Sequence, residues 1–162
     1  MPSIKGPAIC LAQFIRDEDP YNNLENIGKW VAGLGYKGVQ IPSWDDRVFD
    51  RDTAAESKAY CDGYKGTLKE MGLEPTEVGG FLSEQVLVIH PACEIMFEGF
   101  HPEGLKGNER TEWAAGELKK CVAASVNLGT DVIPRFPVGS PGTWFIPGRS
   151  AQRALSMSPS KN

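Results

Sequence analysis

The chain has 162 residues, 41% of them hydrophobic, and a formal net charge of −4. This length suits one ordinary domain, and the apolar content is enough to bury a core, which argues against disorder of the whole chain. The charge is uneven, because residues 131–162 carry four basic side chains and one acidic one. The acidic remainder lacks the clustered Lys and Arg that bind phosphate backbones, so the composition predicts no nucleic-acid partner.

The N-terminal residues and the cysteines bear on the cellular compartment. Residues 1–14 hold one Lys and a short apolar run that Gly6, Pro7 and Gln13 interrupt, which is typical neither of a signal peptide nor of a membrane span. The four cysteines form no C-x-x-C pair, so they predict neither a zinc ribbon nor a compact disulfide framework. We expect them to be buried as small apolar side chains in a cytoplasmic protein with no membrane partner.

The first βαβ unit is predicted over residues 8–42. A short apolar run over 8–14 indicates a strand, and a loop rich in Asp, Pro and Asn follows it. A helix is then expected, with Asn22 or Asn23 as its cap and Gly35 as its stop. Its apolar face is formed by Leu24, Ile27, Val31 and Leu34. Residues 37–42 give the second strand, and this order predicts two parallel strands joined by a crossover helix.

Two further helices and at least one further strand are predicted up to Gly129. Asp52 is expected to cap a helix whose inner positions are Ala54, Cys61, Tyr64, Leu68 and Met71. A third strand is expected over 76–81. The run 85–90 is the most strand-like in the chain, although it could instead belong to a long excursion after the third strand. A last helix is expected over 109–128, with Ala114, Leu118, Cys121, Ser125 and Leu128 inward.

Four strings in this part of the chain resemble a known family. They are LAQF at 11–14, WVAGLGYKGVQIPSWD at 30–45, AAESKAYCD at 54–62 and VIHPA at 88–92. Their order and spacing resemble the sugar phosphate isomerase/epimerase family with the xylose-isomerase-like fold, over roughly residues 4–129. The resemblance implies a (β/α)₈ TIM barrel, a small sugar-like substrate, and a divalent metal ion that promotes proton transfer next to a carbonyl.

The length of the matching segment limits what the resemblance predicts. A barrel of eight βα units needs about 250 residues, so residues 1–129 would form only its N-terminal part, with three to four units. In the family the metal ligands come from later strands, so no metal ligand is carried over and we expect this chain to bind no metal. The chain is therefore expected to be a truncated and inactive member of an isomerase family.

Residues 130–162 follow neither a helical nor a strand period and hold five of the twelve prolines. We expect this tail to be disordered. Family members carry a segment similar to Y-P-W-P-Q-R-P here, and its codons read one base later can encode Ile146 to Gln152. A shifted reading frame beginning between Gly129 and Pro134 is therefore one hypothesis, and a divergent natural tail is the other.

Five side chains are candidates for the site. His90 ends the run 85–90 and could orient or protonate a sugar oxygen, or it could be a packing residue. Gln40 and Trp44 flank the end of the second strand, where an amide could bind a hydroxyl and an indole could cover a sugar ring, although Trp44 could instead pack in the core. Gln13 and Gln85 are weaker substrate-binding candidates of the same type.

One departure from a working site and one acidic pair are also visible. The family carries a His near the position of Phe81, after the third strand, so this sequence lacks one family side chain there. Asp45 and Asp46 form an acidic pair that could bind a cation or serve as a solvated, capping loop.

The sequence leaves three functions open. The first is metal-dependent isomerisation or epimerisation of a sugar-like substrate, which the family resemblance implies. The second is hydrolysis of abasic DNA, a reaction that the same superfamily architecture serves, although the acidic body argues against it. The third is a non-enzymatic half-barrel that forms a homo-oligomer through its exposed sheet edges.

Overall fold

Three parallel strands and five α-helices make up the part of the chain that the structure describes. The computed structural model describes residues 5–130 and residue 133. The strands, in sheet order, are β1 Ala8–Cys10, β2 Gly38–Pro42 and β3 Glu74–Gly79. The helices are α1 Leu24–Gly33, α2 Arg51–Glu56, α3 Lys58–Glu70, α4 Phe81–Glu84 and α5 Gly107–Leu128. The fold is mixed α/β, as the alternating pattern predicted.

The first βαβ unit forms as predicted, with small changes at its ends. Strand β1 is shorter than expected, because the chain turns after Cys10 and the Phe14 amide donates to the Leu11 carbonyl at 2.9 Å. The Asn23 side chain caps α1 by accepting from the Asn26 amide at 2.9 Å. The prediction for Leu34 was wrong: α1 ends one residue earlier, so Leu34 leaves the apolar face and is 57% exposed.

The second crossover contains two helices where the sequence predicted one. Asp50, and not Asp52, caps α2, and its carboxylate accepts from the Thr53 amide at 2.9 Å. Ser57 then takes an extended backbone conformation and caps α3 by accepting from the Tyr60 amide at 3.2 Å. The break occurs because a Ser side chain can replace a missing backbone partner at a helix start. Four of the expected inner positions are buried, namely Ala54, Cys61, Tyr64 and Leu68.

The region after β3 is a long excursion and not a fourth strand. The strand prediction for 85–90 was wrong, because α4 and a turn occupy 81–86 and a 3₁₀ helix, Pro91–Met96, begins directly after His90. The apolar residues of this run instead build a second, smaller core. Its buried members are Val86, Cys93, Phe97 and Ala114.

Helix α5 is the longest helix of the described chain. Gly129 ends it in the left-handed region, with φ +78°, where glycine has no steric cost. The predicted inner positions Ala114, Cys121, Ser125 and Leu128 are buried, whereas Leu118 is only half-buried. Glu117 is buried as well, although it is charged, because it forms ion pairs with α2 and within α5.

The helices pack against one face of the sheet. Val39, Ile41 and Val78 point to this face and join the main core with apolar residues of α1, α3 and α5. Each such side chain contributes about 1.5–3 kcal/mol by leaving water. Because side chains alternate along a strand, their neighbours Gln40 and Glu77 lie on the opposite face. We call that opposite face, with Cys10, Gln40 and Glu77, the open face.

The structure bears only partly on the expectations for the tail and for the membrane. The tail, and with it the hypothesis of a shifted reading frame, lies outside the described residues apart from Thr130 and Ile133. Within the described part of the chain, no helix is both long and apolar enough to cross a bilayer.

Candidate functional site

A row of three polar side chains crosses the open face. The parallel register places Cys10 beside Gln40 and Gln40 beside Glu77, so each strand contributes one member. The Gln40 side-chain amide donates through Nε2 to Oε1 of Glu77. All three side chains are half-buried, so the row is sheltered but reachable. We call these three residues the polar row.

The register that forms the polar row contains an irregularity. Val39 lies beside Pro75 and Gln40 beside Glu77, so Thr76 is an extra residue on β3. This is a β-bulge, in which two residues of one strand face one residue of its neighbour. The Thr76 hydroxyl donates to the Val39 carbonyl at 3.1 Å, so its side chain bonds to the main chain of β2 at the bulge.

The pKa of the Cys10 thiol depends on its burial and on the charge of the polar row. Burial raises the pKa of its thiol, and the negative charge of Glu77 raises it further, while a backbone hydrogen bond from Ala12 opposes both. The sequence treated Cys10 as one more buried small residue. The structure instead places its sulfur in the field of the Glu77 carboxylate.

An aromatic pair stands beyond the polar row at the carboxyl ends of β2 and β3. The Trp44 and Phe81 rings are 5.8 Å apart and tilted by 59°. A Cβ at Gly79 would lie 2.9 Å from the Phe81 ring, so glycine is needed for the ring to approach the strand end. Trp44 therefore lies where the sequence predicted it, at the edge of the sheet where parallel α/β folds bind ligands.

The loops at this edge carry Gln13 and the acidic pair. Gln13 is exposed in the turn after β1. Arg47, and not Asp46, partners the Asp45 carboxylate, to which it donates through Nε at 2.8 Å and Nη2 at 2.7 Å. The Arg47 hydrogen bond holds the pKa of the Asp45 carboxyl below its usual range. Asp45 is thus part of the loop structure, and Gln13 is free to face a ligand.

His90 and Gln85 lie in the excursion after β3. The His90 side chain is exposed, and its Nδ1 accepts from the Ala92 amide at 3.2 Å, which caps the following 3₁₀ helix. Gln85 is buried, and its Nε2 donates to the Phe81 carbonyl at 3.0 Å. Among the described residues, no hydrogen bond joins either side chain to the polar row. The structure therefore places Gln40 in the polar row and Trp44 against Phe81 after the end of β2, and it leaves His90 and Gln85 in local contacts.

Buried polar contacts hold α5 beneath this edge. Ser43, directly after β2, lies 3.2 Å from the Cys121 sulfur of α5. Arg51 of α2 pairs with Glu117 of α5, and Lys120 joins Glu117 at 3.2 Å and Asp52 at 2.9 Å. The Arg51 and Glu117 side chains are only 16% and 10% exposed. These contacts fix the loop that carries Trp44 against the last described helix.

The site offers hydrogen-bonding and apolar groups but no assembled metal centre. Within residues 5–130, no three His, Cys, Asp or Glu side chains come together to hold a metal ion. An amide and a carboxylate on one face, with an indole after the end of the middle strand, suit a polyhydroxylated ligand. Compared with known proteins, the chain matches no family model and, at a significant level, no curated protein.

Proposed function

We propose, against the expectation that the truncated chain is inactive, that the open face binds a sugar-like substrate for isomerisation or epimerisation by proton transfer next to a carbonyl. The observation that carries the proposal is the polar row, which ends β1 and lies two residues before the carboxyl ends of β2 and β3. In parallel α/β folds, ligands bind at this edge. The three βα units would be the N-terminal part of a xylose-isomerase-like (β/α)₈ barrel, with the open face turned toward the barrel interior.

The side chains of the edge suit the hydroxyl groups and the ring of a sugar. The Gln40 amide and the Glu77 carboxylate can donate to and accept from neighbouring hydroxyls. The Trp44 ring, supported by Phe81, can cover the apolar C–H face of the sugar. Gln13 can reach the same edge from the turn after β1. Substrate orientation is thus assigned to residues of all three βα units.

The metal of the resembling family is not assigned to any described residue. A divalent ion would steady the negative charge that develops on the substrate oxygens. The described residues do not fit such an ion, because they lack a cluster of three suitable ligands. We therefore assign these residues to substrate binding and proton transfer only.

Proton NMR of the full chain with sugars tests this proposal. The chain is incubated with aldoses, ketoses and their phosphates, with and without Mg²⁺ or Mn²⁺, and the appearance of the isomer is followed. We expect conversion of at least one sugar, and a loss of it in Gln40→Leu with the circular dichroism spectrum unchanged. Absence of both conversion and binding across the panel would contradict the proposal.

Self-association is a second candidate that one observation favours. Among the described residues, β1 and β3 each pair with a neighbour on one side only, so both sheet edges offer unpaired backbone groups. A parallel sheet is usually covered on both faces, and a second copy of the chain would cover the open face here. Sedimentation equilibrium distinguishes this candidate, since it requires a defined dimer, whereas a monomer that converts sugars supports the first proposal.

A further inference from the structure

We propose that Glu77 is the proton-accepting carboxylate of this site and that the bulge at Thr76 turns it to the open face. The inference rests on the proposed function and names the residue that moves the proton. Neither Glu77 nor Thr76 belongs to the side chains that the sequence singled out. Three features of the structure support the proposal, namely the register of β3, the contacts of the Glu77 carboxylate, and the position of Glu77 in the same row as Cys10.

The extra residue decides which face Glu77 occupies. Before the bulge, Pro75 lies beside Val39, which points to the helical core. In a regular strand the next residue, Thr76, would lie beside Gln40, and Glu77 would follow on the core face. The bulge inserts Thr76, so Glu77 takes the position beside Gln40. Bulges re-aim side chains in this way next to active sites.

Thr76 is suited to hold the bulge. A bulge disturbs the ladder of backbone hydrogen bonds, and an unpaired carbonyl in a half-buried sheet is costly. The Thr76 hydroxyl donates to the Val39 carbonyl at 3.1 Å, so the extra residue is itself bonded to β2. Threonine also suits a strand because its side chain is β-branched. The shift of register is therefore supported by its own side chain.

The Glu77 carboxylate is held by one oxygen and available at the other. Gln40 donates to Oε1, which fixes the orientation of the carboxylate on the open face. Among the described residues, no Lys or Arg forms an ion pair with Glu77, whereas the sheltered carboxylates of Asp45 and Glu117 are paired with arginines. No cationic side chain of the described residues therefore competes with a substrate proton for this carboxylate. Oε2 is thus the oxygen that can accept a proton.

The proton transfer needs no oxidant or reductant, because the product is an isomer of the substrate. The C–H bond next to the substrate carbonyl breaks, its proton moves to Oε2 of Glu77, and its electron pair forms the double bond of an enediolate. Glu77 then returns the proton to the neighbouring carbon, while a second proton passes between the two substrate oxygens. The product is an isomer of the substrate, and Glu77 is again a carboxylate.

Hydrogen exchange in D₂O tests the role of Glu77, with Glu74 as the matched control. Glu74 is an exposed glutamate of the same strand, three residues before Glu77, and it lies beside Gly38 and not beside Gln40. Incorporation of deuterium next to the sugar carbonyl is measured by NMR, and sugar binding is measured separately by saturation transfer. We expect Glu77→Gln to slow incorporation at least ~100-fold while binding persists, and Glu74→Gln to change it less than about twofold.

A second measurement tests the placement of Glu77 without any substrate. Alkylation of Cys10 by iodoacetamide is followed by mass spectrometry near pH 8. Because the Glu77 charge raises the pKa of the Cys10 thiol, Glu77→Gln should speed alkylation measurably. Glu74→Gln should leave the rate unchanged. An unchanged rate in Glu77→Gln would overturn the placement, and with it the inference.

The two measurements separate failure of the inference from failure of the proposed function. If the wild-type chain exchanges a sugar proton and Glu77→Gln exchanges it equally fast, the inference is wrong and the proposed function stands. If Cys10 responds to Glu77→Gln but the wild-type chain neither binds nor exchanges any sugar, the proposed function fails and the role of Glu77 fails with it.

Discussion

Replacing Glu117 by Met should lower the free energy of unfolding by about 2–4 kcal/mol. Glu117 is 8% exposed on α5, and its carboxylate pairs with Arg51 of α2 and with Lys120 at 3.2 Å. Without Glu117, the Arg51 guanidinium stays largely buried and keeps only Asp52, at 3.3 Å. The loss of stability therefore comes mainly from the sheltered Arg51 charge, which has lost its main partner. The remaining contact with Asp52 makes this loss smaller than the loss expected for an isolated buried ion.

Urea unfolding followed by circular dichroism measures this effect. We expect a lower midpoint with an unchanged m-value, which indicates a change in stability and not in the unfolded state. The double variant Arg51→Met/Glu117→Met should be more stable than Glu117→Met alone, because it leaves no unpaired charge. Asp62→Ala is the control, since Asp62 pairs with Lys58 on an exposed surface and its loss should leave the midpoint unchanged. Equal midpoints for Glu117→Met and Asp62→Ala would refute the reasoning.

Two further predictions concern pH and glycine. Lys120, and then Arg51, lower the pKa of the Asp52 carboxyl. Asp52 therefore stabilises the fold above its unfolded pKa of about 3.9, and this stabilisation is lost as the pH falls through the lower pKa of the folded state. Acid titration of the unfolding midpoint should therefore show a smaller loss in Asp52→Asn than in wild type. Gly129→Ala should cost about 1 kcal/mol because φ is +78°, whereas Gly116→Ala, in open space within α5, should stabilise by up to about 1 kcal/mol. Thermal melts of both variants check this, and equal signs would contradict it.

The sequence predicted the helices well because their signals are local. Asn23 as a cap, the buried Ile27 and Val31, and Gly129 as a stop are all present in the structure. Each depends on residues within one or two turns of each other. Capping was less certain where several candidates stood close together, and so Asp50 and Ser57 replaced the predicted Asp52.

Contacts between distant segments limited the rest of the prediction. The run 85–90 has the composition of a strand, but Val86 is buried in the second core with Phe97 and Ala114 instead of pairing with the sheet. Glu77 was missed because its face depends on the register of β3 against β2, and a bulge changes that register by one residue. A T-E-V sequence beside two glycines could have raised the possibility of an irregular strand.

The most direct test of the central claim is a sugar titration followed in two-dimensional ¹⁵N NMR spectra. The side-chain amide of Gln40 and the indole N–H of Trp44 should shift together as sugar is added. The indole of Trp30, which contacts Phe14 and Tyr21 within the helical core, should stay unchanged. Shifts at Trp30 without shifts at Gln40 and Trp44, or no shift with any sugar, would contradict the assignment of the open face as the ligand site.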